Sequence, residues 1–363
     1  MINVVGARPN FMKIAPLIRE MNKRKDHIEH ILIHTGQHYD FGLSDNIFKQ
    51  LEIPEPDINL GVGSCSHAEQ TGKIMIEFEK VILQNQPDLI VVVGDVNSTI
   101  ACALVASKLG VRVAHVEAGL RSFDRTMPEE INRILTDAIS DFLFTTEESA
   151  NENLKREGIP LGKIFFVGNV MIDTLVDCLH KIEDNGLPFD DLKNGEYAVI
   201  TLHRPSNVDD PEVLGNILEA FHSISKKIKL VIPLHPRTLK NIESFGIKNK
   251  IEKIKKNGII TGPIGYLEML RLNKSARLVI TDSGGVQEET TYLGIPCITM
   301  RENTERPCTI QMGTNVLVGN DLDALFMNFE KIMSNGYKGG RIPPLWDGKV
   351  SERIVEVLFR MMD

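Results

Sequence analysis

The sequence predicts an α/β protein of two doubly wound, Rossmann-like domains with a cleft between them. Three observations carry this. Short apolar runs alternate with longer stretches of helical period, as where Ile2–Val5 is followed by Phe11–Asn22. The runs are nearly continuous in apolar residues, which marks parallel strands buried on both faces. The pattern then repeats in the second half of a 363-residue chain, beyond the ~250–300 residues at which single cores stop growing.

Strands are expected at Ile2–Val5, His30–His34, Leu89–Val93, Val111–His115, Phe142–Thr145 and Ile164–Val167. Helical stretches lie between them at Phe11–Asn22, Ala68–Gln84, Thr99–Leu109 and Glu129–Ile139. The second set of strands is Tyr197–Leu202, Leu230–Leu234, Gly258–Ile260, Leu278–Ile280, Cys297–Thr299 and Val316–Val318. Turn signals at Asp184-Asn185-Gly186-Leu187-Pro188 and Lys193-Asn194-Gly195 mark the break. The expected domains are 1–175 and 176–345, with a helix over 346–363 that can pack back on the first.

A net charge of −8 argues against a general nucleic-acid binder, which carries a basic excess. The basic run Lys248–Lys256 reads as the solvated face of a helix. Five widely spaced cysteines give no disulfide framework or metal knuckle, and fit reduced thiols in a cytoplasm. No run reaches the ~18 apolar residues of a membrane span, and the first residues already read as a strand rather than a leader.

In doubly wound sheets, ligands bind beyond the carboxyl ends of the strands. Polar residues there are the candidates. Gly6-Ala7-Arg8-Pro9-Asn10-Phe11-Met12-Lys13 is a turn into a helix, an anion site by geometry, with Arg8 and Lys13 adding charge. A plain turn with surface cations reads equally well. No G-x-G-x-x-G follows a strand, since Gly61-Val62-Gly63 lacks both the third glycine and the strand; no phosphate-binding G-x-x-x-x-G-K-[ST] is present either.

Asp95 follows Leu89–Val93, where it is either a catalytic carboxylate or a helix cap. Glu117 ends an apolar run; a buried carboxylate is costly unless paired, and Arg121 is a candidate structural partner. Pro128-Glu129-Glu130 reads as a helix first turn. His203 beside Arg204 is placed for phosphate contact or proton transfer, and His235-Pro236-Arg237 sits similarly. Ser283-Gly284-Gly285 allows close approach of an anion before a helix that starts near Val286. Glu288 and Glu289 follow, and Arg306 can grip a diphosphate. His34 and His38 lack a third metal ligand, and Asp321-Leu322-Asp323 reads as a helix cap rather than a metal motif.

Assembled, these residues resemble the non-hydrolysing UDP-N-acetylglucosamine 2-epimerases over essentially the whole chain. The resemblance rests on Gly6-Ala7-Arg8-Pro9, Gly94-Asp95, His115-Val116-Glu117-Ala118-Gly119-Leu120-Arg121, Pro128-Glu129-Glu130, Asn132-Arg133, Thr281-Asp282-Ser283-Gly284-Gly285, Gln287-Glu288-Glu289 and Thr304-Glu305-Arg306-Pro307. It implies the two-domain GT-B fold and interconversion of UDP-GlcNAc and UDP-ManNAc without NAD or metal. The implied route is anti elimination of UDP to 2-acetamidoglucal, then re-addition. Inverting C2 needs proton transfer on both faces of the ring, hence more than one acid/base group.

The resemblance assigns catalysis to Asp95, Glu117, Glu129 and His203. It assigns UDP to Arg8, Lys13, Ser283, Gly284, Gly285, Glu289 and Arg306, with Glu289 on the ribose. Gln37, His38, Gln70 and His235 match the site at which some members bind a second UDP-GlcNAc as activator. The family is usually dimeric, so a homodimer is expected. One departure stands out: bacterial members carry a glutamine where this chain has Ile264 and an aromatic where it has Met269. That bears on the uracil contacts. The rival readings are a GT-B glycosyltransferase, a hydrolysing relative that releases UDP and N-acetylmannosamine, and a silent nucleotide-sugar sensor. The set of three acids in the first half speaks for the epimerase.

Overall fold

The apolar runs become parallel strands. In the computed structural model, which describes residues 1–37, 51–182 and 186–362, the first sheet holds β1 (Ile2–Val5), β2 (Ile31–His34), β3 (Ile58–Asn59), β4 (Leu89–Val93), β5 (Arg112–Ala118), β6 (Phe142–Thr145) and β7 (Ile164–Phe166). Their order is β3-β2-β1-β4-β5-β6-β7. Every neighbouring pair is parallel. All five residues of β4 are buried, as its unbroken Leu-Ile-Val-Val-Val run requires.

The second sheet holds β8 (Tyr197–Thr201), β9 (Lys229–Pro233), β10 (Gly258–Thr261), β11 (Leu278–Thr281), β12 (Cys297–Thr299) and β13 (Asn315–Leu317). Its order is β10-β9-β8-β11-β12-β13, again all parallel. Counted from its own first strand, each sheet therefore runs 3-2-1-4-5-6, with a seventh strand added at the end of the first, and the order reverses between β1 and β4 and between β8 and β11. Those reversals are where ligand sites form in open sheets.

Contacts divide the chain into two units, Met1–Cys178 with Pro344–Asp363, and Leu179–Pro343. The first boundary falls within the helix Val170–Ile182. The last helix, Val350–Met362, belongs to the first unit. It is held there by Asp173, whose carboxylate accepts the backbone N–H groups of Val350 (3.0 Å) and Ser351 (2.7 Å) and the Ser351 hydroxyl (2.7 Å). Ile354, Val355 and Leu358 are fully buried, and Trp346 Nε1 donates to the Thr146 carbonyl at 3.0 Å.

Three details differ from the sequence reading. A strand, β3, does precede Gly61-Val62-Gly63, pairing with β2 at Ile33 and His34. It is two residues long between Pro56 and Gly61, too short for periodicity to register. β5 runs on to Ala118, so Glu117 lies inside the strand rather than after it. The helix after β11 starts at Gly284, not near Val286, so both glycines belong to its first turn. Among the described residues, no helix is long and apolar enough to cross a membrane.

Candidate active site

In the first unit the chemistry gathers at the reversal between β1 and β4. Asn10 Oδ1 accepts the N–H groups of Gly6 and Ala7, each at 3.1 Å, and Asn10 Nδ2 donates to the Val93 carbonyl at 3.0 Å. One asparagine thus ties the turn after β1 to the end of β4. Gly6 is needed for this approach, because a Cβ there would lie 2.0 Å from Ser98 Oγ. Arg8 opens the helix Arg8–Asn22, and its side chain lies outside the described part of the structure. Lys13, one turn further, is 5% exposed and forms a buried ion pair with Glu117.

Glu117 has φ +74°, in the left-handed region, at a bulge where the β5–β6 register shifts between Val116 and Ala118. A non-glycine residue there stores about 1–3 kcal/mol of strain, and such residues cluster at functional sites. The expected structural partner is not Arg121. That arginine instead bonds Asp137 at 2.7 Å and Glu157 at 2.6 Å.

Asp95 pairs with Arg133 at 2.5 Å, and Asn132 Nδ2 donates to the Asp95 carbonyl at 2.9 Å. It does not cap the next helix, whose N-cap is Val96. The acids at the start of the helix Pro128–Ile139 divide their work. Glu130 is buried and accepts the N–H groups of Ser122 (3.0 Å) and Phe123 (2.8 Å). Glu129, half-buried, keeps access to solvent.

Beneath this cluster His115 is fully buried. Its Nδ1 bonds Asp137 at 2.6 Å and its Nε2 bonds the Gly94 carbonyl at 2.7 Å. Asp137 also accepts the Gly119 N–H at 3.0 Å. Burial pushes the Asp137 carboxyl up, but His115 and Arg121 outweigh it and hold the group below the ordinary carboxylate value.

Gln37 and Gln70 come together close by. Gln37 Oε1 accepts the Ser98 N–H (2.9 Å) and hydroxyl (2.7 Å), and Gln70 Nε2 donates to the Gln37 carbonyl at 3.2 Å. His38 lies outside the described residues.

The second unit places its residues at the reversal between β8 and β11. His203 follows β8 and Asp282 follows β11. Asp282 is fully buried and accepts the N–H groups of His203 (2.9 Å) and Arg204 (2.8 Å), Asn207 Nδ2 (2.9 Å) and His203 Nδ1 (2.9 Å). Burial pushes its carboxyl up; the bond and charge of His203, with Arg204 and Asn207, bring it below the ordinary value. The bond holds the ring by Nδ1. His235 packs its ring 5.3 Å from that of His203, and its Nδ1 caps the helix Pro236–Ser244 by accepting the Arg237 N–H at 3.2 Å.

Ser283 is the N-cap of the helix Gly284–Leu293, so the N–H groups of its first turn are available to an anion. Arg306 stands beside them: a Cβ on Gly284 would lie 2.9 Å from its Nη1. The arginine is paired, Nε with Glu288 at 2.5 Å and Nη1 with Glu305 at 2.6 Å. Glu289 is buried, with Asn273 Nδ2 at 3.4 Å. Ile264 and Met269 pack on the apolar cluster of Tyr197, Val199, Leu272 and Val279.

Sequence reasoning left Asp137 and Asp282 without roles. Asp282 was in view within Thr281-Asp282-Ser283, but its link to His203 depends on β8 pairing with β11. Asp137 looks like any helical acid.

The chain matches the family model described as UDP-N-acetylglucosamine 2-epimerase over residues 19–359. It is 47% identical to the UDP-N-acetylglucosamine 2-epimerase of Methanocaldococcus jannaschii, covering 98% of this chain and 97% of that protein. It is 41% identical to the UDP-2,3-diacetamido-2,3-dideoxy-D-glucuronate 2-epimerase of Pseudomonas aeruginosa, covering 99% of each. The crystal structure of the M. jannaschii UDP-GlcNAc 2-epimerase in complex with UDP-GlcNAc and UDP superposes with a TM-score of 0.90, at 45% identity and 99% coverage of both chains.

Proposed function

The chain belongs to the UDP-N-acetylglucosamine 2-epimerase family, whose fold is the GT-B type, and from that membership we propose that it interconverts UDP-GlcNAc and UDP-ManNAc by inverting C2. The observation that carries the proposal is Glu117, a buried carboxylate held at φ +74° and paired with Lys13, next to the Asp95–Arg133 pair. Proton transfer at a carbon acid calls for carboxylates fixed in place, and removal from each face calls for more than one.

In this reading Asp95, Glu117 and Glu129 move protons at C2, UDP leaves by anti elimination to 2-acetamidoglucal, and it then adds back. Ser283, Gly284, Gly285 and Arg306 stabilise the departing diphosphate, and Glu289 holds the ribose. Arg8 and Lys13 supply further cationic charge. His203, oriented by Asp282, is the remaining acid/base group. Arg306 would exchange a carboxylate partner for phosphate oxygens, a bidentate match for a guanidinium. Neither NAD nor a metal is required. Gln37 and Gln70, with His38 and His235, are proposed to take an activating second nucleotide sugar. Assembly as a homodimer in the cytoplasm completes the reading, and sedimentation in solution reads the former.

The test is incubation with UDP-GlcNAc in D₂O followed by NMR. The epimerase reading predicts deuterium at C2 and UDP-ManNAc without added cofactor. Retention of the C2 proton, with no product formed until an acceptor is supplied, would replace it with a glycosyltransferase. Accumulation of free N-acetylmannosamine would replace it with the hydrolysing reaction. The Pseudomonas relative supports one further arm, because it shares the whole chain length and is named for a different sugar. Faster C2 exchange in UDP-2,3-diacetamido-2,3-dideoxy-D-glucuronate than in UDP-GlcNAc would move the assignment to that sugar.

A further inference from the structure

The left-handed backbone of Glu117 needs a cause, and the ion pair with Lys13 acts only on its side chain. Asp137 supplies one. Its Oδ1 bonds His115 Nδ1 at 2.6 Å, two residues before Glu117, and its Oδ2 accepts the Gly119 N–H at 3.0 Å, two residues after it. Arg121 Nη1 reaches Oδ2 at 2.7 Å, two residues further. One carboxylate thus grips β5 on both sides of the bulge. The grip extends to the neighbouring strand end, because His115 Nε2 bonds the Gly94 carbonyl at 2.7 Å, and Gly94 precedes Asp95. His115 and Asp137 are fully buried, and Arg121 is 3% exposed. Water is therefore a poor substitute for any bond lost, and the geometry is over-determined in the way that a strained residue requires.

We propose that Asp137 is a positioning residue: its two-sided bond to β5 holds Glu117 in the left-handed turn and, through His115, sets the Gly94-Asp95 turn beside it. It touches no reacting atom and acts only through those residues. The proposal rests on the reading of Glu117 and Asp95 as the acid/base groups, and its first readout is independent of that reading.

The experiment is the Asp137→Ala variant of the full chain, studied by crystallography and by kinetics. Alanine removes both carboxylate oxygens, so both arms of the grip are lost. The expected structure keeps the strand order, while the φ of Glu117 leaves the left-handed region and its pair with Lys13 opens. Glu117 remaining at positive φ with the pair intact overturns the proposal, whatever the enzyme does. In kinetics kcat for C2 exchange should fall about 100-fold, with KM and UDP affinity within about 2-fold, since only proton transfer is affected. Equal losses in kcat and UDP binding would make Asp137 merely structural.

If Asp137→Ala fails to fold, His115→Gln is the milder cut. It keeps a donor toward Gly94 and gives up the bond to Asp137, so the same relaxation at Glu117 is expected with a smaller loss. An unmoved Glu117 in that variant also overturns the proposal. Failure of the wild-type protein to exchange C2 would sink the functional reading alone, because the position of Glu117 in the variants still decides this one.

Discussion

Each unit carries a histidine bonded through Nδ1 to a buried aspartate, and the two pairs differ in exposure and in partners. His115 has no exposure, and Asp137 and the Gly94 carbonyl occupy both its nitrogens. His203 has its side chain 36% exposed and, among the described residues, only Nδ1 tied, to Asp282. A histidine with both nitrogens satisfied is a strut; one with a free nitrogen at a strand end is placed for chemistry. The distinction lies in partners and exposure, not in residue type.

Several substitutions would sharpen or break that contrast. The largest expected effect is at Glu117, beside the strut. Glu117→Gln should cost about 10²–10⁴-fold in C2 exchange while leaving UDP affinity nearly unchanged, as for loss of one acid/base group. Calorimetric titration with UDP checks it, and parallel loss of binding would make Glu117 structural.

Next come the histidines themselves. His115→Ala removes one partner of a buried pair and should destabilise the protein by about 3–5 kcal/mol. His203→Ala should change the unfolding midpoint little and lower activity by about 10²-fold or more. If urea unfolding ranks the two the other way, the contrast fails.

The aspartates give a smaller, pH-dependent signal. Burial raises the carboxyls of Asp137 and Asp282, but their partners bring both below the ordinary value. A depressed folded value means stabilisation that is present above the unfolded value of ~3.9 and lost as pH falls through the folded one. Asp173 has the opposite sign: burial raises it, ahead of the Ser351 and Val350 bonds that lower it. Its contribution therefore weakens as pH rises through the raised value. Wild-type stability should fall as acid is added below pH ~4, and less steeply in Asp282→Asn; identical slopes would remove Asp282 from the account.

The smallest effect is expected at Arg237, whose pair with Asp209 is exposed although it lies next to His235. Arg237→Ala should change stability by at most ~1 kcal/mol, the usual worth of a surface pair. A larger loss on urea unfolding would show that this end of β9 carries more than a surface charge.

Much of this was legible from residues alone. Alternating apolar runs announced two parallel sheets, because strands covered on both faces cannot afford polar positions. Strand ends pointed to Asp95, Glu117 and His203. The bulge at Glu117 was not legible, since a left-handed φ in a non-glycine residue leaves no mark in composition. Asp137 acts on residues 18 and 22 positions away, and no local pattern encodes that reach. Only Arg121 stood out as a partner for Glu117, since Lys13 is remote in sequence and meets it only through the fold.

The return of the last helix, Val350–Met362, to the first unit has a consequence for biosynthesis. The second unit is one uninterrupted stretch, Leu179–Pro343, and can close without the last helix. The first unit, which holds Asp95, Glu117 and Glu129, lacks Trp346 and the partners of Asp173 until the final residues leave the ribosome. A chain released with its end at Pro343 would keep the second unit whole and leave the first without Trp346 and its last helix.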